Sequence, residues 1–310
     1  MLNQIKGLHH VTSIASDPQQ NNAFFTRVLG LRRVKKTVNF DAPDVYHLYY
    51  GDETGSAGTI MTYFPFPHAS KGQRGTGEVS ETVFAVPEGT LDFWRDRLDS
   101  AGVDGLAVDG RFGEKRLRFL GPDGDSFALA EVANDPRAAF ANDSIPADKG
   151  IHGFHGVTLR LRDTDATAAL LTLMGYAQTD RDGTLTRLVL KNGNGADVID
   201  LEQRPDAPRA REGAGSVHHL AFAVEDRAAQ LQVRQGLLAA GAHVTPVIDR
   251  DYFWAIYFRT ADGVLFEIAT HEPGFARDED LAHLGEALKL PTQHAHLRAH
   301  LEQTLPAITD

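Results

Sequence analysis

The apolar positions of this chain recur in the same order four times. Four segments of nine residues read as half-buried strands, and a stretch with apolar residues every three or four positions follows each of them. The strand segments are GLHHVTSIA from Gly7, EVSETVFAV from Glu78, GFHGVTLRL from Gly153 and SVHHLAFAV from Ser216. After each predicted helix, β-branched and aromatic runs are separated by Gly, Asp and Asn, which indicates hairpins. The pattern predicts an α+β protein of four βαβββ modules.

A glycine follows the last apolar residue of each predicted helix. The helices are expected to stop at Gly30, Gly102, Gly175 and Gly241, because glycine turns the chain at positive φ without steric cost. Asp17, with Pro18 behind it, is the expected start of the first helix. The predicted apolar stripes are Phe24, Phe25, Val28 and Leu29; Leu91, Trp94 and Leu98; Leu170, Leu171 and Met174; and Leu231, Leu237 and Leu238.

Length and local composition divide the chain. A chain of 310 residues is too long for one simple core, so about two domains are expected. The first two modules fill residues 1–135, a polar linker covers 136–150, and modules 3 and 4 fill 151–272. Residues 273–310 are predicted to form a helical C-terminal tail.

Charge and composition narrow the possible partners. The net charge of −11 argues against nucleic acid or an anionic membrane, since both need a positive field. Apolar runs are far shorter than the roughly 20 residues of a membrane-spanning helix. The N-terminus lacks the apolar run of a secretory signal, so a cytoplasmic location is expected. Because the chain has no cysteine, any metal site must use histidine and carboxylate.

Two His-His dipeptides occupy the same place in the repeat. His9-His10 lies in the opening strand of the first module and His218-His219 in that of the fourth. The same alignment puts Glu81 and Gly156 at the second position in the other two modules. The second histidines, His10 and His219, are therefore candidate metal ligands.

Glu267 is the candidate third ligand. It lies in an apolar closing strand, where an ionised carboxylate is unfavourable unless it binds a metal or pairs with an arginine. Its aligned residues are Thr62 and Ala128, so the pattern leaves a single carboxylate. A hairpin turn centred on Asp262 would set Tyr257 directly opposite Glu267 on the same face of the sheet, although a plain core tyrosine is the alternative.

Two imidazoles and one carboxylate form the facial triad typical of non-haem Fe(II) oxygenases, which leaves positions open for substrate and O₂. The residue types alone leave Mn²⁺ and Zn²⁺ open as well. Ligands must lie about 2 Å from the ion, so His10 must approach His219 and Glu267. Module 1 is therefore predicted to pair with module 4, and module 2 with module 3.

The chain resembles the hydroquinone-type ring-cleaving dioxygenases of the vicinal oxygen chelate superfamily. The matching segments span nearly the whole chain and include GLHHVT, VLGLRRVKKTVNFD, YHLYYGDE, GTIMTYFPF, SVHHLAFAV and DRDYFWAIYFRTADGVLFE. The resemblance implies iron on His10, His219 and Glu267, and a small aromatic substrate cleaved with O₂.

The resemblance also implies a shell of residues around the substrate. His218 or Tyr257 would move protons, Arg250 would bind a second substrate oxygen, and His9 and Thr12 would complete the shell. The loop before Tyr252 is shorter than in the chlorohydroquinone enzymes. Because neighbouring residues of a regular strand face opposite sides, the first histidine of each pair reaches the pocket only if its strand is bulged or the pocket wraps around its edge.

Other functions remain open at this point. A glyoxalase-type isomerase would normally take a further ligand from the closing strand of the first module, where this chain has Thr62. Antibiotic-resistance thiol transferases are usually shorter chains, and a non-catalytic aromatic-binding module would not need the triad. His47 is predicted to be a hydrogen-bonded strand residue and not a ligand. Exposed sheet edges make a homodimer the expected assembly.

Overall fold

Each module forms the predicted strand, helix and three further strands in the computed structural model, which describes residues 1–309. Modules 1 and 2 consist of β1 (Leu8–Ala15), α1 (Pro18–Ala23), β2 (Arg32–Val38), β3 (Tyr46–Gly51) and β4 (Ile60–Pro65), followed by β5 (Glu78–Val86), α2 (Leu91–Ser100), β6 (Ala107–Arg111), β7 (Glu114–Leu120) and β8 (Ser126–Glu131). Modules 3 and 4 consist of β9 (Gly153–Leu161), α3 (Asp165–Leu173), β10 (Tyr176–Asp182), β11 (Leu185–Leu190) and β12 (Val198–Gln203), followed by β13 (Val217–Val224), α4 (Arg227–Ala239), β14 (Ile248–Asp249), β15 (Phe253–Arg259) and β16 (Leu265–Pro273).

The strands form two curled sheets of eight strands. The first has the order β14-β15-β16-β13-β1-β4-β3-β2, so modules 1 and 4 share it through the antiparallel pair β1 and β13. The second has the order β10-β11-β12-β9-β5-β8-β7-β6 and joins modules 2 and 3 through β5 and β9. The predicted fold class and pairing of modules are confirmed. The predicted domain ranges stay predictions, because each sheet combines modules from both halves of the chain.

The first helix starts as predicted but ends differently. The Asp17 side chain accepts a hydrogen bond of 2.8 Å from the Gln20 backbone N–H, which caps the helix. Regular α-helix stops at Ala23, however, and Phe24–Val28 form a π-helical turn closed by the Leu29 N–H to Phe24 carbonyl bond. The wider turn lets the adjacent residues Phe24 and Phe25 both face the core, where Phe25 stacks on Tyr50.

The stripe predicted for the fourth helix was wrong in part. Leu231 and Leu238 are exposed, whereas Gln230, Val233 and Leu237 face the core. Gln230 is fully buried because its side-chain amide donates to the backbone carbonyls of Trp254 and Ile268. These two bonds connect α4 to β15 and β16. The polar Gln230 therefore occupies a core-facing position, where the pattern predicted a leucine.

The tail packs against module 1. It contains short 3-10 segments at Phe275–Arg277, Leu281–His283 and Thr292–Leu297, and the helix α5 (Arg298–Thr304). The buried Lys35 of β2 donates to Asp278 and Glu279 of the tail at 2.7 and 2.5 Å. The last residue of the predicted tail, Asp310, lies outside the described residues.

Two further features concern the surface. At the outer edge of the second sheet, β10 exposes all of its residues except Tyr176, and the homodimer expected from exposed edges stays a prediction. Within the described part of the chain, no helix has both the length and the apolar character needed to cross a lipid bilayer.

Candidate metal centre and its cavity

The three predicted ligands converge on one face of the first sheet. His10 lies on β1, His219 on β13 and Glu267 on β16, and all three are buried. The two Nε2 atoms are 3.1 Å apart, and Glu267 Oε2 lies 3.4 Å from Nε2 of His10 and 3.0 Å from Nε2 of His219. Donors bound about 2.1 Å from an ion, at right angles to one another, stand about 3.0 Å apart. The donor atoms therefore fit a single ion held on one face.

Strand register explains the convergence. In β13 and β16 Ala221 pairs with Glu267, which puts the carboxylate two residues along from His219 on the same face. The β15–β16 hairpin pairs Tyr257 with Glu267, as the turn at Asp262 predicted. In module 1 the equivalent pair is Thr12 and Thr62, so Thr62 does occupy the place of Glu267.

The surroundings of the Glu267 carboxylate suit a residue that binds a cation. The side chain is 0% exposed, and neither of its oxygens has a hydrogen-bond partner of good geometry among residues 1–309. Burial by itself raises the pKa of Glu267, but the neighbouring His10 and His219 outweigh it and hold the pKa well below its usual value. In the described chain its ion pairs are with these histidines, and none is with an arginine. An arginine ion pair therefore does not account for the burial of Glu267.

The first histidine of each pair lies at a strand irregularity. The β1–β13 register skips from Leu8 to His10 on one strand and from His219 to Val217 on the other, which leaves His9 and His218 as the extra residues. Each turns its Nδ1 toward the Nδ1 of the following ligand histidine, at 2.9 Å for His9 and 2.8 Å for His218. An outer partner on the second ring nitrogen fixes the orientation of a ligand imidazole.

Tyr257 and Arg250 lie together beside the carboxylate. Arg250 Nε donates to the Tyr257 hydroxyl at 3.1 Å, and its guanidinium stands over the rings of Phe40 and Tyr257. Burial, followed by the charge of Glu267, raises the pKa of Tyr257 well above its ordinary value, so the phenol keeps its proton. The group can therefore donate a hydrogen bond toward a ligand next to Glu267.

A cavity of about 520 Å³ opens over the three ligand side chains. Its walls are mostly aromatic and apolar, and they include Phe40, Phe64, Phe66 and Phe253. Of the other predicted site residues, His218, Tyr257 and Arg250 line this cavity. His9 and Thr12 are buried and are not among the lining residues. His9 packs on Phe253, and Thr12 lies next to Thr62 on the face of β1 that carries His10.

His47 and Tyr49 are cavity residues that sequence reasoning did not assign to the site. His47 is a hydrogen-bonded residue of β3, as predicted, with contacts to Thr62 Oγ1 at 2.6 Å and the Tyr49 hydroxyl at 2.8 Å. Both line the cavity. The register of β3 and β4 pairs Tyr49 with Thr62, as Tyr257 pairs with Glu267. Extending the repeat alignment to the third strand of each module would have identified Tyr49 as the counterpart of Tyr257.

The second sheet has an ion-pair network at the equivalent place. Glu81 and Gly156 do stand where the ligand histidines stand, and Ala128 matches Glu267, as aligned. The prediction of a single carboxylate was wrong, however, because the β9–β12 register puts Asp200 at the corresponding position of module 3. The repeat alignment assigns no residue of module 3 to this position. Both acids pair with arginines: Glu81 with Arg116 and Arg111, and Asp200 with Arg187 and Arg111.

Comparison with known families gives a match over most of the chain. The model of the Glyoxalase/Bleomycin resistance protein/Dioxygenase superfamily matches residues 7–181 and 178–268. Both matched regions contain part of the ligand set, with His10 in the first and His219 and Glu267 in the second.

Curated relatives are similar along nearly their full length. The chain is 42% identical over 306 residues to the "Putative ring-cleaving dioxygenase MhqO" of Bacillus subtilis (strain 168), covering 98% of this chain and 97% of that protein. It is 34% identical over 314 residues to the chlorohydroquinone/hydroquinone 1,2-dioxygenase of Sphingobium indicum, covering 97% and 96% of the two chains.

Solved structures share the fold. A crystal structure from Bacillus subtilis superposes with a TM-score of 0.95 at 41% identity, covering 99% of this chain and 98% of that one. Glyoxalase I from Zea mays superposes with a TM-score of 0.64 at 14% identity, covering 86% and 92%, which is a likeness of fold alone.

Proposed function

Since the chain belongs to the Glyoxalase/Bleomycin resistance protein/Dioxygenase superfamily and is a ring-cleaving dioxygenase like its curated relatives, we propose that it uses Fe(II) on His10, His219 and Glu267. Its proposed substrate is a small hydroquinone-type or catechol-type aromatic, into which both atoms of O₂ are inserted. The relative from Sphingobium indicum, which acts on hydroquinones, favours the hydroquinone type.

One observation carries the proposal. A fully buried carboxylate without a good hydrogen bond faces two imidazole nitrogens at 3.0 and 3.4 Å. Leaving a charge in this state without a cation is costly. Three protein donors on one side of an ion leave coordination positions open, which suits an oxygenase.

The bound metal would supply Lewis acidity and electron transfer, and it would hold a phenolic oxygen and O₂ side by side. The chain's own groups supply the rest. Tyr257, held by Arg250, donates a hydrogen bond to the substrate oxygen next to Glu267. His218 lines the cavity and can accept or return a proton at its free ring nitrogen.

The remaining proposed roles concern recognition and support. Arg250 binds a second oxygen of the substrate from the cavity wall, where its guanidinium is already oriented by Phe40 and Tyr257. His9 holds the ring of His10 from behind. Thr12 contributes a hydroxyl beside the ligand set, opposite His219 across the strands.

A glyoxalase-type isomerase is the weaker candidate. The closing strand of module 1 offers Thr62 at the place of Glu267, and a threonine hydroxyl is a poor substitute for a carboxylate ligand. The aromatic cavity wall also suits a ring better than a flexible thiol conjugate.

Oxygen uptake tests the proposal. The protein is loaded anaerobically with Fe(II), mixed with hydroquinone, methylhydroquinone or catechol, and followed with an oxygen electrode. We expect uptake that depends on both iron and the phenol, and we expect Glu267→Gln to lose both bound iron and activity. Turnover of methylglyoxal and glutathione without O₂ consumption would instead support an isomerase.

The matched control is Asp200→Asn, which makes the same kind of change at the equivalent position of module 3. It should retain iron and oxygen uptake at temperatures where the variant stays folded. Loss of iron in both variants would mean that iron retention reports on folding and not on Glu267.

A further inference from the structure

His47 lies in the cavity wall with both ring nitrogens engaged. Its Nδ1 is 2.8 Å from the Tyr49 hydroxyl and its Nε2 is 2.6 Å from Thr62 Oγ1. The residue is buried, and burial, followed by the charges of His10 and His219, lowers its pKa well below the ordinary value. His47 is therefore a neutral imidazole, which donates at one nitrogen and accepts at the other.

The contacts continue toward the ligand set. Thr62 Oγ1 lies 3.3 Å from Thr12 Oγ1, and Thr12 stands directly opposite His219 in the strand register. Thr12 is also two residues from His10 on β1, so it shares the face of that ligand. Tyr49, His47, Thr62 and Thr12, named here the hydroxyl chain, thus connect the cavity wall to the metal centre.

Counting hydrogens gives this chain a direction. Three hydroxyls and one neutral imidazole carry four polar hydrogens, but there are only three contacts between them, so one hydrogen is left over, and the direction of the contacts decides which group keeps it. Tyr49 is fully buried against Tyr252 and Phe275, and its burial raises its pKa, so the phenol stays a donor. A phenol donates more strongly than an aliphatic hydroxyl, and an imidazole nitrogen is its best acceptor here. Tyr49 then donates to His47 and His47 donates to Thr62, so the hydrogen left over is that of Thr12 where Thr62 donates to it, and that of Thr62 where Thr12 is the donor.

We propose that His47 is a positioning residue that, through the hydroxyl chain, aims the Thr12 hydrogen at a substrate oxygen beside His10 and His219. Tyr49 donates to Nδ1 of His47, Nε2 of His47 donates to Thr62, and Thr62 donates to Thr12. Within the described residues Thr12 Oγ1 has no hydrogen-bond partner except Thr62, so its hydrogen is available to a ligand. This inference rests on the proposed function, because the acceptor is the substrate of that reaction.

The strand register shows what the hydroxyl chain replaces. Thr62 stands at the place of Glu267 and Tyr49 at that of Tyr257 in the other half of the same sheet. A second carboxylate there would occupy an open metal position and neutralise the ion. The neutral chain instead leaves the position free and offers a hydrogen-bond donor next to it.

Nitrogen NMR on the metal-free protein tests the direction. Uniformly ¹⁵N-histidine-labelled protein is studied at pH 7, and the His47→Gln spectrum identifies the His47 signals. We expect His47 to carry its hydrogen on Nε2, and we expect Tyr49→Phe to move Nδ1 toward the shift of a free imine nitrogen. A hydrogen on Nδ1 would overturn the proposal.

Calorimetric binding of hydroquinone to Zn(II)-loaded protein under anaerobic conditions tests the effect. His47→Gln and Thr62→Val should each weaken binding about tenfold at equal zinc content, as for loss of one well-placed hydrogen bond. In a Thr12→Val background, His47→Gln should not weaken hydroquinone binding any further, because His47 acts through Thr12. A further tenfold loss of hydroquinone affinity in that background would overturn the proposal.

Tyr50→Phe is the matched control on the same strand. The Tyr50 hydroxyl donates to Asn21, away from the cavity, so this variant should bind hydroquinone like the wild type. If wild-type Zn(II)-loaded protein fails to bind hydroquinone, the proposed function is wrong. The tautomer measured without metal still decides whether the hydroxyl chain has the proposed direction.

Discussion

At the scale of single residues, burial and neighbouring groups prepare the donor set of the metal centre. Burial, opposed by the nearby Glu267, lowers the pKa of His219 to about 4, so its ring carries a free lone pair at neutral pH. The two imidazoles in turn keep Glu267 ionised. One carboxylate and two imidazoles thus meet in an apolar setting, which is a composition suited to a divalent cation.

The two outer histidines should differ in effect. His9 lies behind the cavity and His218 lines it, although both contact the Nδ1 of a ligand imidazole. We expect His9→Phe to weaken metal binding about tenfold with little change in the KM for hydroquinone, since it acts only through His10. His218→Phe should weaken metal binding and also raise KM. Metal titration with steady-state kinetics separates the effects, and an equal KM increase in both variants would contradict this distinction.

Removal of one hydroxyl tests Tyr257. Tyr257→Phe keeps the aromatic ring opposite Glu267 but removes the hydroxyl that Arg250 orients. We expect kcat/KM to fall about 100-fold, as for loss of a positioned proton donor, while bound iron stays unchanged. Iron analysis accompanies the kinetics. Unchanged kcat/KM would leave Tyr257 as an ordinary wall residue.

At the scale of elements, the two central strands build the site through their irregularities. A regular strand would turn His9 and His218 away from the ligands that they support. The bulge on each strand brings both members of a His-His pair to one metal centre, and the two bulges occur at equivalent places in β1 and β13. The same kind of bulge therefore positions a supporting histidine on each side of the site.

The tail is held to module 1 by a buried charge. The Lys35 side chain is 0% exposed and pairs with Asp278 and Glu279. Lys35→Met keeps the bulk but leaves two acids without their cation, so we expect about 3 kcal/mol lower free energy of unfolding. Chemical denaturation measures this, and Lys115→Met at an exposed position of β7 is the control. Equal stability of the Lys35 variant and the wild type would show that the tail docks without the ion pair.

At the scale of the whole molecule, one fold is used in two ways. Modules 1 and 4 leave a cavity above the three candidate ligands, whereas modules 2 and 3 fill the same place with paired acids and arginines. Arg187 of β11 pairs with Glu114 of β7, and His155 of β9 contacts the same carboxylate. Ion pairs therefore connect modules 2 and 3 across the second sheet.

The interactions of Glu114 with His155 and Arg187 predict a contribution to stability that is lost in acid. Burial alone raises the pKa of Glu114, but bonds and charges from His155 and Arg187 lower it to about 2. Because the folded pKa is depressed, the contribution is present above pH 4.5 and is lost as the pH falls toward 2. Glu114→Gln should lower the unfolding free energy by about 2 kcal/mol at pH 7 and by much less at pH 3. Urea unfolding at both pH values measures the difference, and a pH-independent difference would contradict the assignment.

The sequence by itself determined the modules and the candidate metal ligands. Periodicity identified the four repeats, because side-chain alternation and helix stripes are local properties. Ligand distance then required module 1 to meet module 4, and the hairpin turn at Asp262 placed Tyr257 opposite Glu267. The family's substrate shell added Arg250, whose place in the cavity wall the structure describes.

Tertiary structure alone decided the features that depend on contacts between distant strands. The π-helical turn at Phe24–Val28 and the buried Gln230 follow from core packing, which overrides the helix pattern. The hydroxyl chain from Tyr49 to Thr12 and the arginine partners of Asp200 join residues from different strands. Hydrogen bonds and ion pairs of this kind are set by the positions of strands in space, which the order of residues along the chain does not record.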